Sequence, residues 1–110
     1  MFMHISRVKV RAGAWSVYEW AIRTQTVSDR KRAGFMAVWL VRDASDENLA
    51  HVISLWSSEE LANDYAQSEV FRMRWQRMKP YVVGEIEVAR GEVHLWPQIQ
   101  PGSSHWVSRW

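Results

Sequence analysis

The first part of the chain changes from a strand pattern to a helical pattern. Residues 3–11 alternate loosely between apolar and polar side chains, which predicts a strand. After residues 12–14, apolar and small side chains recur with the period of a helix. The members of this stripe are Val17, Trp20, Ala21, Thr24 and Val27. The spacing predicts an amphipathic helix that runs to about residue 32.

The predicted helix has a signal at each end. Ser16 and Glu19 have the spacing of a capping box, in which each side chain accepts a hydrogen bond from the other residue's backbone amide. The basic triplet 30–32 would lie in the last turn, where the helix dipole favours cations, and Gly34 would end the helix. Stabilisation of the helix C-terminus therefore explains the three basic residues, and anion binding is the alternative explanation.

The next apolar segment indicates a sheet that is covered on both faces. Residues 35–41 contain no polar side chain, whereas a strand with one solvated face alternates. A turn-rich segment (43–48) and a second apolar segment (51–56) follow, so a hairpin is predicted. Helices cover one face of such a sheet. We expect a second copy of the chain to cover the other, because two-fold homodimers are the commonest oligomers.

The second half of the chain predicts further helix and a final strand. Residues 57–60 (Ser-Ser-Glu-Glu) form a second capping-box pattern. Ser68 is suited to cap a further helix over 69–78, which Pro80 ends. Residues 81–95 predict a long last strand, bent at its glycines. The order β-α-β-β-α-β is that of an α+β, ferredoxin-like fold with an antiparallel sheet.

Length and composition narrow the class of protein. The 110 residues suit one domain, and 47% apolar with 24% charged residues is typical of a globular chain. The absence of cysteine excludes disulfides and thiolate chemistry and is compatible with the cytoplasm. A net charge of +2 without a basic stripe argues against a nucleic-acid partner. No apolar segment is long enough for a signal peptide or a membrane span.

Eight tryptophans stand out in a chain of this size. Such a number indicates an aromatic-lined cavity or a large interface, or else a core that is filled with indole rings. Trp106 and Trp110 lie in a segment with proline, glycine and serine, so we assign residues 1–95 to the domain and 96–110 to an extended tail. We expect this tail to pack on the domain or across a partner subunit.

Three stretches resemble the antibiotic-biosynthesis-monooxygenase domain. They are Gly13-Ala-Trp-Ser-Val-Tyr-Glu19, the segment 34–43, and Ile53-Ser-Leu-Trp-Ser-Ser-Glu-Glu60 followed by Tyr65 and Ser68. The resemblance extends over about residues 3–95. It implies a dimeric α/β barrel, and hence a homodimer. Some members of this family oxidise polycyclic phenols to quinones without metal or flavin, and others bind and open haem.

The haem-degrading members have a pattern that this chain does not retain. They resemble the stretch from Ser68 to Trp75 but have an iron-ligating histidine where this chain has Trp75. Indole has no lone pair available for iron. Their strand asparagine falls at Ser6, and their porphyrin-packing tryptophan falls at Tyr65. A haem-binding protein without the usual histidine ligand is therefore only the third hypothesis.

The cofactor-free hypothesis needs a dry aromatic pocket with a few polar groups that stabilise negative oxygens. Candidate ligand-binding residues are His4, Ser6, Tyr65, Phe71, Arg72 and Trp75. They form no diagnostic motif, so the leading hypothesis is an oxygenase-like protein for a small aromatic molecule. A non-catalytic homodimer, which binds a ligand or has a structural role, is the alternative.

The remaining polar residues suggest no other chemistry. Arg72, Arg74 and Arg77 are expected on the polar side of their helix, with only Arg72 able to reach an anionic ligand. The four histidines lack metal-ligand spacing. We therefore expect neither a metal nor a cofactor.

Overall fold

The computed structural model describes residues 1–95. Four strands and three helices follow one another along this part of the chain. In order they are β1 (Phe2–Lys9), α1 (Trp15–Asp29), β2 (Phe35–Arg42), β3 (Leu49–Trp56), α2 (Glu59–Ala66), α3 (Glu69–Met78) and β4 (Glu87–Glu92), with a short 3-10 turn at Lys79–Tyr81. Within this part of the chain, no helix is long and apolar enough to cross a membrane. The predicted tail, 96–110, lies outside the described residues.

The four strands form one antiparallel sheet in the order β2-β3-β1-β4. β1 lies inside the sheet, where His4 is opposite Ser54 of β3 on one side and opposite Arg90 of β4 on the other. β2 pairs with β3 and places Trp39 opposite Ile53. This is the ferredoxin-like arrangement, so the predicted fold class is confirmed.

The two faces of the sheet differ in what covers them. Side chains alternate between the faces along each strand. The helices pack on the inner face, whose buried residues include Phe2, Val8, Ala50 and Trp56. The outer face carries apolar side chains that no helix covers, namely Met3, Ile5, Ala37, Trp39, Val41 and Ile53. Trp39 is 45% exposed and Val41 is 42% exposed. In a single chain, the apolar side chains of 35–41 are therefore covered on the inner face only.

α1 packs on the sheet with a different face from the predicted one. Its inward side chains are Tyr18, Ile22, Gln25, Thr26 and Asp29, at spacings of three and four residues. Tyr18 is buried, whereas Val17 and Val27 are exposed and Trp20 is 68% exposed. Of the predicted stripe, Ala21 packs against the core and the other four members are exposed, because the inward stripe becomes polar toward the C-terminal end of α1. That polar end borders a cavity.

Helix capping agrees with the sequence pattern at one of three predicted places. Ser68 caps α3 by accepting from the backbone amide three residues later, at 3.1 Å. α2 is capped in the same way by Ser58, not by Ser57. The N-cap residue of α1 is Ala14, which follows a turn and makes no side-chain capping hydrogen bond. Ser16 therefore lies inside the first turn of the helix and does not cap it. The two predicted capping boxes were therefore wrong by one or two residues.

Two other predicted boundaries also differ. α1 ends at Asp29, so the basic triplet 30–32 follows the helix instead of forming its last turn. β4 is confined to 87–92, because Pro80 lies in the 3-10 turn and Gly84 has a positive φ of 73°. The single long strand predicted over 81–95 was therefore wrong.

Candidate functional site

A cavity of about 160 Å³ lies between the inner face of the sheet and the helices. β1, β2 and β3 form its floor, and all three helices contribute side chains that face this floor. A dry protein cavity of about 150 Å³ accepts one benzene ring. The volume therefore suits a single aromatic ring.

Aromatic side chains line much of the cavity. They are Tyr18, Phe35, Trp56, Tyr65, Phe71 and Trp75. Tyr65 stacks on Trp56 with ring centroids 5.3 Å apart and meets Phe71 edge-on at 5.4 Å. These are the favourable geometries for aromatic pairs, so the rings support one another as a wall. Burial raises the pKa of Tyr18 to about 12, and its hydroxyl therefore stays protonated at neutral pH.

A charged cluster lies where α1 and α3 meet the cavity. The Arg74 guanidinium donates to the Asp29 carboxylate at 2.5 Å and to the Tyr65 hydroxyl at 2.9 Å. The side chains of Arg74 and Asp29 are each only 13% exposed. Arg32 lies over the Tyr65 ring, 4.7 Å from its centroid, and 3.8 Å from the Asp29 carboxylate. Two guanidinium groups face one carboxylate, so the cluster has a net positive charge.

The surroundings shift the pKa values within this cluster. Burial opposes the charge on Arg74, but hydrogen bonds to Asp29 and Tyr65 outweigh it, and the pKa of Arg74 is raised. Burial, reinforced by the charge of Asp29, raises the pKa of Tyr65, while Arg74 and Arg32 oppose that shift. At neutral pH this side of the cavity therefore has a fixed cation beside a protonated phenol group.

The sheet contributes a second polar region, on the floor of the cavity. His4 and Ser6 project from β1, and Ser54 projects from β3. The Ser54 hydroxyl accepts a hydrogen bond from the Trp56 indole at 3.1 Å. Burial, and to a lesser degree the charge of Arg90, lowers the pKa of His4 from 6.5. The floor is therefore polar but uncharged at neutral pH.

Five of the six candidate residues line this cavity, namely His4, Ser6, Tyr65, Phe71 and Trp75. Arg72 does not line it. Its side chain is exposed and pairs with the Glu69 carboxylate one turn earlier on α3. The arginine that lines the cavity is Arg74, whereas the sequence had favoured Arg72.

Sequence reasoning missed the two most buried charges of the site. Arg74 was expected on the polar side of α3, yet it lines the cavity. It follows Phe71 by three residues and precedes Met78 by four, which places it on their stripe. That spacing is the signal that could have identified it. Asp29 gave no such signal, because the inward face of α1 was assigned to other residues.

Two other histidines of residues 1–95 lie away from the cavity. His51 contacts Asp43 at 2.9 Å beside the β2–β3 turn, and this hydrogen bond lowers the pKa of that carboxyl. His94 is largely exposed. Across the described residues, no cluster of three or more histidine or acidic side chains is placed to hold a metal ion.

Known structures share this fold at low sequence identity. One named as an antibiotic biosynthesis monooxygenase from Deinococcus radiodurans has a TM-score of 0.78 at 11% identity, over 91% of this chain and 99% of that one. A second of that name, from Caulobacter crescentus CB15, has a TM-score of 0.77 at 15% identity, over 86% and 90%. A mutant of SnoaB, a cofactor-independent oxygenase from Streptomyces nogalater, has a TM-score of 0.74 at 16% identity, over 91% and 96%.

These similarities establish the fold and nothing finer. No protein-family model and no curated protein matches the sequence. The chain has the fold of the antibiotic biosynthesis monooxygenase domain, in agreement with the resemblance seen in the sequence.

Proposed function

We propose that this protein binds a small phenol in its cavity and oxidises it with dioxygen, without a metal or an organic cofactor. The observation that carries the proposal is the cavity, which has the volume of one ring, aromatic walls and two separate polar regions. The activity named for SnoaB, a protein of similar fold, supports the choice of an oxygenase.

The aromatic wall would provide most of the binding energy. A planar ring enclosed by Tyr65, Phe71 and Trp75 is removed from water, and favourable ring pairs add about 0.5–1.5 kcal/mol each beyond the buried area. The polar groups would orient the ring. A neutral floor on the sheet and a cation on the helices give the two ends of a phenol different environments.

Cofactor-free oxygenation draws its electrons from the substrate. When a phenol becomes a quinone, one dioxygen molecule accepts four electrons from it. One oxygen atom enters the ring as the new carbonyl, and the other leaves as water. Negative charge develops on oxygen during this reaction, so a preorganised cation in a dry site lowers the barrier. Arg74, held by Asp29 and Tyr65, would be that cation.

We also propose that the protein works as a homodimer joined through the outer face of the sheet. The row Ile5–Ile53–Trp39 crosses three neighbouring strands and is apolar throughout. Contiguous apolar surface of this kind marks interaction sites on soluble proteins. A second sheet packed against this row would cover it and would explain the absence of polar side chains from 35–41.

Binding and oxygen consumption with one-ring phenols test the function. Phenol and 4-methoxyphenol should quench tryptophan fluorescence with one site per chain and should cause oxygen uptake without added flavin or metal. In Trp75→Leu the affinity should fall at least about tenfold, a loss of about 1.4 kcal/mol. Trp20→Leu is the matched control, because Trp20 is exposed on α1 and does not line the cavity.

The outcomes separate the parts of the proposal. Binding without oxygen uptake would contradict the oxygenase and favour a carrier or sensor. If neither phenol binds at millimolar concentration, where the free energy of binding is only about −4 kcal/mol, the cavity is not a ligand site.

A further inference from the structure

His4 is the titratable residue on the sheet floor of the cavity. Its side chain lies among Ser6, Ser54 and Trp56, which face the same space. Within residues 1–95, no hydrogen bond engages the His4 ring, although the residue is only partly exposed. Its ring nitrogens are therefore available to a molecule in the cavity.

The charges around His4 favour a neutral imidazole. On β4, Arg90 is its cross-strand neighbour, and Glu59 of α2 contacts the Arg90 guanidinium at 3.5 Å. On the helical side of the cavity, Arg74 is paired with Asp29, and Arg32 lies 3.8 Å from the same carboxylate, so this cluster has a net positive charge. Burial and the Arg90 charge together lower the pKa of His4. The ring thus has a free lone pair at neutral pH.

The other titratable groups of the cavity are unsuited to accept a proton. The Asp29 carboxylate is engaged by Arg74, and Arg74 is itself a cation. Tyr18 and Tyr65 both have raised pKa values and stay protonated. A phenol that enters this cavity therefore meets one uncharged base, and it lies on the sheet.

We propose that His4 accepts the proton of the bound phenol. The O–H bond of the ligand breaks, an N–H bond forms on the imidazole, and the electron pair stays on the phenol oxygen. The product is a phenolate beside an imidazolium, with no net change in charge inside the site. This inference rests on the proposed function and assigns it a ligand class, namely one-ring phenols that bind with the hydroxyl toward the sheet.

The dye 4-nitrophenol tests this assignment directly, because its phenolate absorbs visible light and its phenol form does not. At a pH where most of the free dye is protonated, the wild-type protein should bind it as phenolate. In His4→Gln and His4→Asn, the bound ratio of phenolate to phenol should fall at least about tenfold, the effect of one pKa unit. Exposed His94 provides the control, since His94→Gln should keep the phenolate band.

A second readout keeps the test independent of how the variants fold. In the wild-type protein, the ¹⁵N shifts of the His4 ring should move to imidazolium values when 4-nitrophenol binds. They should not move with 4-nitroanisole, which has no proton to give. The phenolate band should also disappear at acidic pH, when the complex takes up a further proton on the phenolate oxygen beside the His4 imidazolium.

Failure of this inference is distinguishable from failure of the proposed function. If the dye binds as neutral phenol, or if both His4 variants keep the phenolate band, His4 is not the acceptor and the cavity proposal stands. If neither 4-nitrophenol nor 4-nitroanisole binds, both the ligand site and the proposed role of His4 are contradicted.

Discussion

Arg72 and Arg74 are two residues apart on α3 and have opposite surroundings. Two residues correspond to about 200° of rotation around a helix, so the two side chains leave it on nearly opposite sides. Arg72 pairs with Glu69 at the surface, where an ion pair contributes little to stability. Arg74 is held by Asp29 and Tyr65 in the interior. Arginine therefore forms a surface ion pair at the first of these positions and is part of the cavity site at the second.

The Asp29–Arg74 pair should matter for folding as well as for the site. In Asp29→Asn the largely buried guanidinium loses its carboxylate, and an uncompensated buried polar group costs about 2 kcal/mol. Urea unfolding should show a decrease of that size in the free energy of unfolding. Asp64→Asn, at an exposed carboxylate of α2, should change it by less than about 0.5 kcal/mol. Equal losses in the two variants would contradict the arrangement at Asp29.

The site residues that the sequence could predict are those that lie among apolar side chains at helical spacing. Tyr65, Phe71 and Trp75 lie on helices at spacings that place them inward, and the structure puts all three at the cavity. Asp29 and Arg74 were not predicted, because a charge on a helix is normally a surface charge. Only their partnership across two helices makes their burial favourable, and that partnership is a property of the tertiary structure.

At the scale of single elements, Ser16 and Ser68 provide a matched comparison. Both begin a Ser-x-x pattern that suits a helix start, but only Ser68 accepts a hydrogen bond from a backbone amide. Ser68→Ala should therefore lower the free energy of unfolding by about 1 kcal/mol. Ser16→Ala should change it by less than about 0.5 kcal/mol, because Ser16 is an exposed residue inside the first turn of α1. Thermal or urea unfolding measures both, and a larger loss at Ser16 would contradict the observed helix start.

The order of elements was predictable, and their exact bounds were not. Loose alternation identifies β1, apolar runs identify β2 and β3, and apolar side chains at helical spacing identify α3, because each element has a recognisable pattern of apolar positions. The predicted length of β4 was too great, because this strand has no such pattern of apolar positions. All of its residues, 87–92, are exposed, so its extent depends on backbone pairing with β1 and not on a side-chain pattern.

For the molecule as a whole, two exposed tryptophans separate the assembly surface from the rest. Trp39 is on the outer face of the sheet and Trp20 is on α1. Light scattering should give twice the chain mass of 13.0 kDa for the wild type and for Trp20→Lys. In Trp39→Lys the mass should fall to that of one chain, because a charge placed in an apolar interface is left without a partner. A dimer that survives Trp39→Lys but not Trp20→Lys would place the interface on α1.

Successive residues of β1 face opposite sides of the sheet, so odd and even positions belong to two different surfaces. Even-numbered His4 and Ser6 face the cavity, whereas odd-numbered Met3 and Ile5 face outward. A slip of β1 by one residue against its neighbours would exchange the two sets. Imidazole and hydroxyl groups would then lie on the proposed contact between subunits, and methionine and isoleucine would lie in the proposed ligand site. One inserted residue within this strand would therefore abolish recognition and assembly together, although every side chain of both surfaces would still be present in the chain.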